Sequence, residues 1–108
     1  MVDVYTVGQV GIEFAGQITD NDNAYNIKPI NLENYSELYV RFFRPDGTNF
    51  KKTASPRDEN SLDDTEIVYE NDGDSIIDQK GDWSFTVGVE YNNGSLIESP
   101  YRQLFWVV

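Results

Sequence analysis

The chain has 108 residues, of which 39% are hydrophobic and 14% aromatic, a composition typical of one globular domain with a packed core. Nineteen acidic residues against eight basic ones give a net charge of −11, which repels a phosphate backbone and argues against a nucleic-acid partner. The sequence contains neither cysteine nor histidine, which excludes disulfides, thiolate metal sites and the commonest general base. We predict a single domain spanning residues 1–108, with no cofactor.

The N-terminal third predicts two short strands, Val4 to Val7 and Val10 to Ile18, separated by Gly8. A polar stretch, Thr19 to Asn23, then precedes an apolar segment, Ile27 to Leu32. The chain does not open on a basic region followed by an apolar run, and no apolar run approaches the roughly 20 residues of a membrane-spanning helix. We therefore expect a protein that is made in a cytoplasm and has no membrane partner.

The middle of the chain predicts a β-hairpin. Leu38 to Arg44 and Thr48 to Ala54 are candidate strands on either side of Pro45-Asp46-Gly47, where proline and glycine occupy positions that a tight turn favours. The two lysines of the second strand suit a solvated face or a sheet edge. Thr65 to Glu70 is a further short strand, and Ser75 to Lys80 is the one helical candidate of the sequence.

The C-terminal part carries the clearest strand. From Trp83 to Tyr91 apolar and polar side chains alternate, which is the pattern of a half-buried antiparallel strand. Asn92 to Ser95 contains an Asn-Gly turn, Leu96 to Glu98 is the returning strand, and Tyr101 to Val108 follows a break at a proline. Seven or eight short strands with turns between them predict an all-β sandwich.

Five segments, in chain order, resemble a known family. Val7 to Gly11 is similar to an opening "G-D-x-G" strand signal, and Val40 to Thr48 to an "I-x-F-x-K-P-D-G-T" hairpin. Ile67 to Tyr69, followed by Asp78 to Ser84, resembles a strand and a "D-x-x-G-x-W" entry into the next strand, and Phe105 to Val107 matches "F-x-V". The family is the small immunoglobulin-like β-sandwich proteins of tailed bacteriophages, related to the N-terminal modules of upper baseplate proteins.

The resemblance implies an immunoglobulin-like antiparallel sandwich and a structural role in a virion. The protein would be a module of a tail, a baseplate or a fibre attachment. It would be held in a symmetric oligomeric assembly by contacts with other virion proteins, and it would have no catalytic activity. Baseplate proteins of this kind usually continue into a receptor-binding region, whereas this chain ends at Val108 on its last strand. We therefore expect an adaptor or connector rather than a receptor-binding protein, located in the virion.

Acidic residues are concentrated in one segment. Between Asp58 and Asp82 lie ten acidic residues and a single lysine. Asp72-Gly73-Asp74 and Asp20-Asn21-Asp22 offer oxygen ligands of the kind that calcium takes, but neither matches the spacing of a twelve-residue calcium loop. The alternative is that they are turn residues with solubilising charge, and we predict no metal site. An acidic surface that meets a basic partner is the role we favour for this segment.

No residue pattern indicates catalysis. Nineteen carboxylates will include some pair at a glycosidase-like separation by chance, so that criterion carries little information. The serines have no histidine to activate them and no nucleophile-elbow motif. We therefore predict that the protein is not an enzyme.

The aromatic residues give the most specific prediction. If Val40 and Phe42 point into the core, alternation turns their neighbours outward, and the same holds around Phe105 and Val107. The predicted partner-contact residues are Tyr39, Arg41, Phe43, Leu104, Trp106 and Val108. Exposed aromatic and arginine side chains are typical of protein interfaces. The alternative is that both faces are covered within the domain, for example by Ile27 to Leu32.

Two other functions use the same residues. A carbohydrate-binding module would stack sugars on Trp83 or Trp106 with neighbouring tyrosines, and a capsid decoration protein would differ from a tail protein only in its partner. In the structural role, the C-terminal strand could pair with the sheet edge of a neighbour. We then expect that deletion of Leu104 to Val108 abolishes assembly.

Overall fold

The computed structural model describes residues 3–20, 28–73 and 75–108, and these form strands, turns and irregular segments without any helix. Predicted features at residues 21–27 and at residue 74 therefore lie outside the described part of the chain. The strands are β1 (Asp3–Tyr5), β2 (Glu13–Gly16), β3 (Thr19–Asp20), β4 (Lys28–Pro29), β5 (Tyr35–Phe43), β6 (Asn49–Pro56), β7 (Ile67–Glu70), β8 (Gly81–Tyr91), β9 (Leu96–Glu98) and β10 (Gln103–Val107).

Eight of these strands form one curled sheet, in the order β1-β10-β8-β5-β6-β7-β2, with β9 also paired to β8. Strands β3 and β4 form a separate antiparallel pair. The pairings within the sheet are antiparallel except that β1 runs parallel to β10. The predicted all-β sandwich-like fold of seven to eight strands is confirmed, and its purely antiparallel character is corrected by the β1–β10 pair.

The curl of the sheet places β2 across the core from β5, β8 and β10. The Phe14 ring lies with its centroid 4.9 Å from that of Phe42 and 5.4 Å from those of Phe85 and Phe105. Apolar side chains on alternate positions of the long strands fill the space between these layers, as expected of strands with one face on a core. The buried core comprises Ile12, Phe14, Ile18, Leu32, Leu38, Val40, Phe42, Ala54, Ile67, Ile76, Ile77, Trp83, Phe85, Val87, Val89, Phe105 and Val107.

Two tight turns set the register of the long strands. In the turn between β5 and β6, the Arg44 N–H donates to the Thr48 carbonyl at 2.8 Å, and Gly47 has a φ of 91°. The turn after β8 likewise places a single glycine, Gly94, at a positive φ of 89°. A three-residue hairpin loop uses one left-handed residue in this way, so the predicted Asn-Gly turn is present with one positive φ angle rather than two.

The helical candidate at Ser75 to Lys80 is wrong. This segment is irregular and buries the adjacent side chains of Ile76 and Ile77, and the Ile77 carbonyl accepts a hydrogen bond from the Gly8 N–H at 2.8 Å. β-branched residues have a reduced preference for the helix, which agrees with the irregular path of this segment.

No helix in the described residues is long and apolar enough to cross a bilayer.

Candidate docking surface

The outer face of β10 is apolar and open to solvent. Phe105 and Val107 point into the core and are 2% exposed, whereas Leu104, Trp106 and Val108 are 63%, 47% and 58% exposed. The predicted outward orientation of these three residues is therefore confirmed. Strict alternation along an extended strand explains why large apolar side chains occupy both of its faces.

Strand β1 widens this surface. Val4, which is 59% exposed, lies opposite Trp106 in the parallel β1–β10 pair. The Val108 N–H donates to the Tyr5 carbonyl at 2.9 Å, which holds the end of the chain against β1. We call Val4, Leu104, Trp106 and Val108 the apolar strip. Contiguous apolar residues on a protein surface usually mark a contact with another molecule.

A shallow hollow of about 130 Å³ lies within the strip, between the side chains of Leu104, Trp106 and Asp82 and over the strand segments that carry the inward-facing Trp83 and Phe105. Asp82 is the cross-strand neighbour of Trp106 in the β8–β10 pair. The Asp82 side chain is exposed, and within the described residues its carboxylate has no ion pair or hydrogen bond. The hollow therefore combines the apolar side chains of Leu104 and Trp106 with one negative charge that has no partner in the described residues.

The predicted contact residue Tyr39 is buried. Its side chain does point to the outer face, but it is only 1% exposed, so it is not available for direct contact. The reason is its cross-strand neighbour, Gly88, which has no side chain and leaves room for the Tyr39 ring to lie flat on the sheet. The Lys51 ammonium covers the ring from outside, 4.9 Å from its centroid.

A polar network surrounds Tyr39. The Tyr39 hydroxyl donates to Glu98 Oε1 at 2.7 Å, and Arg41 Nε donates to the same oxygen at 3.0 Å. Burial and the bond to Glu98 raise the pKa of Tyr39 to about 12. Burial alone would raise the pKa of Glu98, but the bonds from Tyr39 and Arg41 outweigh it and hold that pKa below its ordinary value.

Arg41 and Phe43 are half-buried, and both have partners within the domain. Arg41 also donates from Nη1 to Asn49 Oδ1 at 2.9 Å. The Arg102 guanidinium lies over the Phe43 ring, 3.7 Å from its centroid, in cation–π geometry. Of the predicted contact residues on β5, Tyr39 is buried and Arg41 and Phe43 are half-buried against neighbouring side chains, whereas those at β10 are open to solvent.

The segment proposed to cover these faces lies elsewhere. Within Ile27 to Leu32, Leu32 is a core residue and Ile30 packs against the core from its edge. Ile27 lies outside the described residues. The apolar strip on β10 is exposed, so the described residues of this segment, 28–32, do not cover it.

Trp83 is buried, so it cannot form part of the predicted carbohydrate-stacking platform. It is 1% exposed, and its indole N–H donates to the Gln79 carbonyl at 2.9 Å. Trp83 points inward from β8, and its ring packs against that of Phe105 with the centroids 5.7 Å apart. Of the two tryptophans, only Trp106 is accessible to a ligand.

The C-terminal strand is not a free edge along its last part. Residues Phe105 to Val107 of β10 pair with β8 on one side and with β1 on the other, so β1 is the edge strand at this end of the sheet. Backbone pairing of β10 with a neighbouring molecule is therefore ruled out for those residues. Deletion of Leu104 to Val108 would also remove two core side chains, so it would test folding rather than docking.

The acidic segment makes surface ion pairs. Arg57 donates from Nε to Glu66 at 2.9 Å and also bonds Glu13 of β2, and the bond from Arg57 lowers the pKa of Glu13.

Outside the acidic segment, Asp46 in the turn between β5 and β6 accepts from the Thr48 hydroxyl and N–H and from Gln79, and these bonds lower the pKa of Asp46 to about 2. Among residues 3–20, 28–73 and 75–108 no group of acidic side chains is arranged to hold a metal ion.

Val4 and Asp82 belong to the site but were not predicted from the sequence. The sequence predicts a strand at Val4, but the position of Val4 beside Trp106 depends on pairing between β1 and β10. Asp82 lies in the predicted acidic segment, and only the β8–β10 register brings it beside the indole. Neither neighbour relation is visible from local periodicity.

No known protein family, characterised protein or solved structure matches this chain.

Proposed function

We propose that this chain is a structural adaptor of a bacteriophage virion, in a tail, baseplate or fibre attachment, and that it acts through protein–protein contacts at the apolar strip. The observation that carries the docking role is the strip itself, in which four large apolar side chains on β1, on β10 and directly after β10 are each about half exposed or more. Burying such residues against a partner removes apolar surface from water at about 25 cal/mol per Å².

The virion assignment rests on the resemblance to small phage β-sandwich proteins. Its supporting residues are the Pro-Asp-Gly hairpin after Val40, the Trp83 entry into β8 and the closing Phe105 to Val107. The all-β fold agrees with that family and with many others, since one fold serves unrelated functions. The specific role therefore needs a test in the particle.

The test compares particles that carry strip variants of the full chain. The double variant Leu104→Ser/Trp106→Ser changes only outward-facing side chains, so we expect it to fold with a stability within about 1 kcal/mol of the parent. We expect it to be lost from purified particles, as measured by immunoblotting. Immunogold labelling of the parent chain then distinguishes tail or baseplate from capsid.

A matched control is Leu96→Ser. Leu96 is 61% exposed and lies opposite Glu90, eight residues along β8 from Asp82, or about 27 Å at the rise of a strand. We expect Leu96→Ser to enter particles normally. Equal incorporation of the double variant would contradict docking through the strip, and absence of the parent chain from particles would contradict the virion role.

A carbohydrate-binding function has one supporting observation, the exposed indole of Trp106 beside a hollow. A glycan array separates the two functions. Specific binding that is lost in Trp106→Ala would favour the carbohydrate-binding function over the structural one.

A further inference from the structure

We propose that the hollow between Leu104 and Trp106 receives an arginine side chain of the partner protein, with the guanidinium placed between the Trp106 ring and the Asp82 carboxylate. The inference deepens the proposed docking function and rests on it. It specifies the partner as a protein surface that presents an arginine within an apolar patch.

The first argument is the shape and chemistry of the hollow. Its volume of about 130 Å³ is large enough for the end of a long side chain. The exposed side chains of Leu104 and Trp106 give the hollow apolar walls, which suit the methylene groups of a long side chain. An aromatic face beside a carboxylate is the environment that a guanidinium prefers, because it stacks on one and pairs with the other.

The second argument is charge. The Asp82 carboxylate is exposed and has no cation beside it in the described part of the chain. Some carboxylates on this molecule are paired, as Glu13 and Glu66 are with Arg57, whereas others, such as Glu59, have no ion pair in the described residues. A chain with a net charge of −11 attracts basic surfaces and repels acidic ones, including a second copy of itself.

The third argument is a similar contact within the domain. On the same outer face, the Arg102 guanidinium lies 3.7 Å from the centroid of the Phe43 ring. Phe43 and Leu104 both pair with Ser84, from opposite sides of β8, so this contact lies directly beside the strip. Trp106 offers a larger ring than Phe43, and within the described residues no cation lies over it.

The experiment is an NMR titration of the ¹⁵N-labelled full chain with n-butylguanidinium chloride, which carries the end of an arginine side chain. We expect saturable shifts of the Trp106 indole N–H and the Asp82 amide. The Trp83 indole N–H, which is bonded to Gln79, serves as the internal reference. n-Butanol at the same concentration and ionic strength tests whether the alkyl chain alone is sufficient.

Asp82→Asn keeps the shape of the side chain and removes its charge, and we expect it to weaken binding of n-butylguanidinium about two- to fivefold, as for one exposed ion pair. Asp63→Asn makes the same change of net charge at an exposed position outside the hollow, and we expect no effect on binding. Trp106→Ala should abolish the saturable shift of the Asp82 amide.

Three results would overturn the inference: no saturable shift with n-butylguanidinium, equal shifts with n-butanol, or equal weakening by Asp63→Asn and Asp82→Asn. The docking function is tested separately by incorporation of the strip variants into particles. If the cation titration fails while Leu104→Ser/Trp106→Ser is still lost from particles, the arginine site is wrong and the docking surface stands. If both fail, the strip is not a contact surface.

Discussion

At the scale of single residues, the Gly88–Tyr39 pair shows how one missing side chain decides what an outer surface presents. Tyr39 lies across Gly88 and bonds Glu98, so an aromatic ring that alternation directs outward is removed from solvent. An aromatic ring placed over a glycine on the neighbouring strand is a known means of stabilising that glycine.

Gly88→Ala tests this packing. A methyl group at position 88 would overlap Cζ and the hydroxyl oxygen of Tyr39, so the ring must move and its bond to Glu98 must break. We expect the free energy of unfolding to fall by about 1–3 kcal/mol, as for other overpacked sites, when measured by urea denaturation.

The control for Gly88→Ala is the same substitution in a Tyr39→Ser background. Without the ring, alanine should be neutral or stabilising at this strand position, because glycine carries an entropic cost in strands. An equal loss of stability in both backgrounds would show that the ring is not the obstacle.

At the scale of elements, Asn71 joins the end of β7 to the segment between β1 and β2. Its side chain is fully buried, its Oδ1 accepts from the Ile12 N–H at 2.7 Å, and its Nδ2 donates to the Gln9 carbonyl at 3.0 Å. Its N–H donates to the Ile12 carbonyl at 3.1 Å. This one amide satisfies backbone groups that no strand ladder reaches.

Asn71→Ala leaves the Ile12 N–H and the Gln9 carbonyl without their side-chain partner. We expect a loss of about 2–4 kcal/mol in the free energy of unfolding, since each buried group left unpaired costs about 1–3 kcal/mol. Urea denaturation followed by tryptophan fluorescence measures it. Asn92→Ala, at an exposed turn position, is the control and should change stability by less than about 0.5 kcal/mol. Equal effects of the two substitutions would contradict the role of Asn71.

Alternation along the chain predicted the strands well. The inward and outward sets of β8 and β10 follow directly from Trp83 to Tyr91 and from Phe105 and Val107, because a side-chain period of two is a local property. The Pro-Asp-Gly and Asn-Gly turns were found for the same reason, since they depend on neighbouring residues only.

Features that depend on register were not predictable in this way. The burial of Tyr39 depends on Gly88 lying opposite it, and the hollow depends on Asp82 lying opposite Trp106. The parallel pairing of β1 with β10 joins the two ends of the described chain. Such contacts depend on how the sheet curls, which no window of neighbouring residues reports.

At the scale of the whole molecule, acidification has two opposite effects on the stability of the fold. One arises from the net charge of −11, and the other from the carboxylates whose pKa values are lowered in the folded state. Protonation relieves the general repulsion among carboxylates, which favours the folded state. It also removes the charge from carboxylates whose hydrogen bonds and ion pairs exist only in the folded state. Addition of salt at about 0.5 M screens the first effect more than the second, because the hydrogen-bonded pairs are in direct contact.

We therefore expect acid to destabilise the fold through three carboxylates, those of Glu98, Glu13 and Asp46. Each has a folded-state pKa below its ordinary value of 4.5 for the glutamates or 3.8 for Asp46, so each stabilises the fold fully above that ordinary value. The contribution is lost as the pH falls through the folded-state pKa, which for Asp46 is about 2. In about 0.5 M salt, we expect the free energy of unfolding to fall steadily between about pH 4.5 and pH 2.

The variant Glu98→Gln tests how much of that pH dependence comes from the Glu98 carboxylate. Glutamine retains an oxygen that accepts from Tyr39 and Arg41 but does not titrate, so the variant should lose less stability than the parent over the same pH range. Glu59→Gln removes an exposed carboxylate that has no partner in the described residues, and its pH profile should parallel that of the parent. Urea denaturation at each pH measures all three proteins. A parent chain that becomes more stable from pH 4.5 to pH 2 in high salt would show that charge repulsion, and not these hydrogen-bonded carboxylates, determines its acid response.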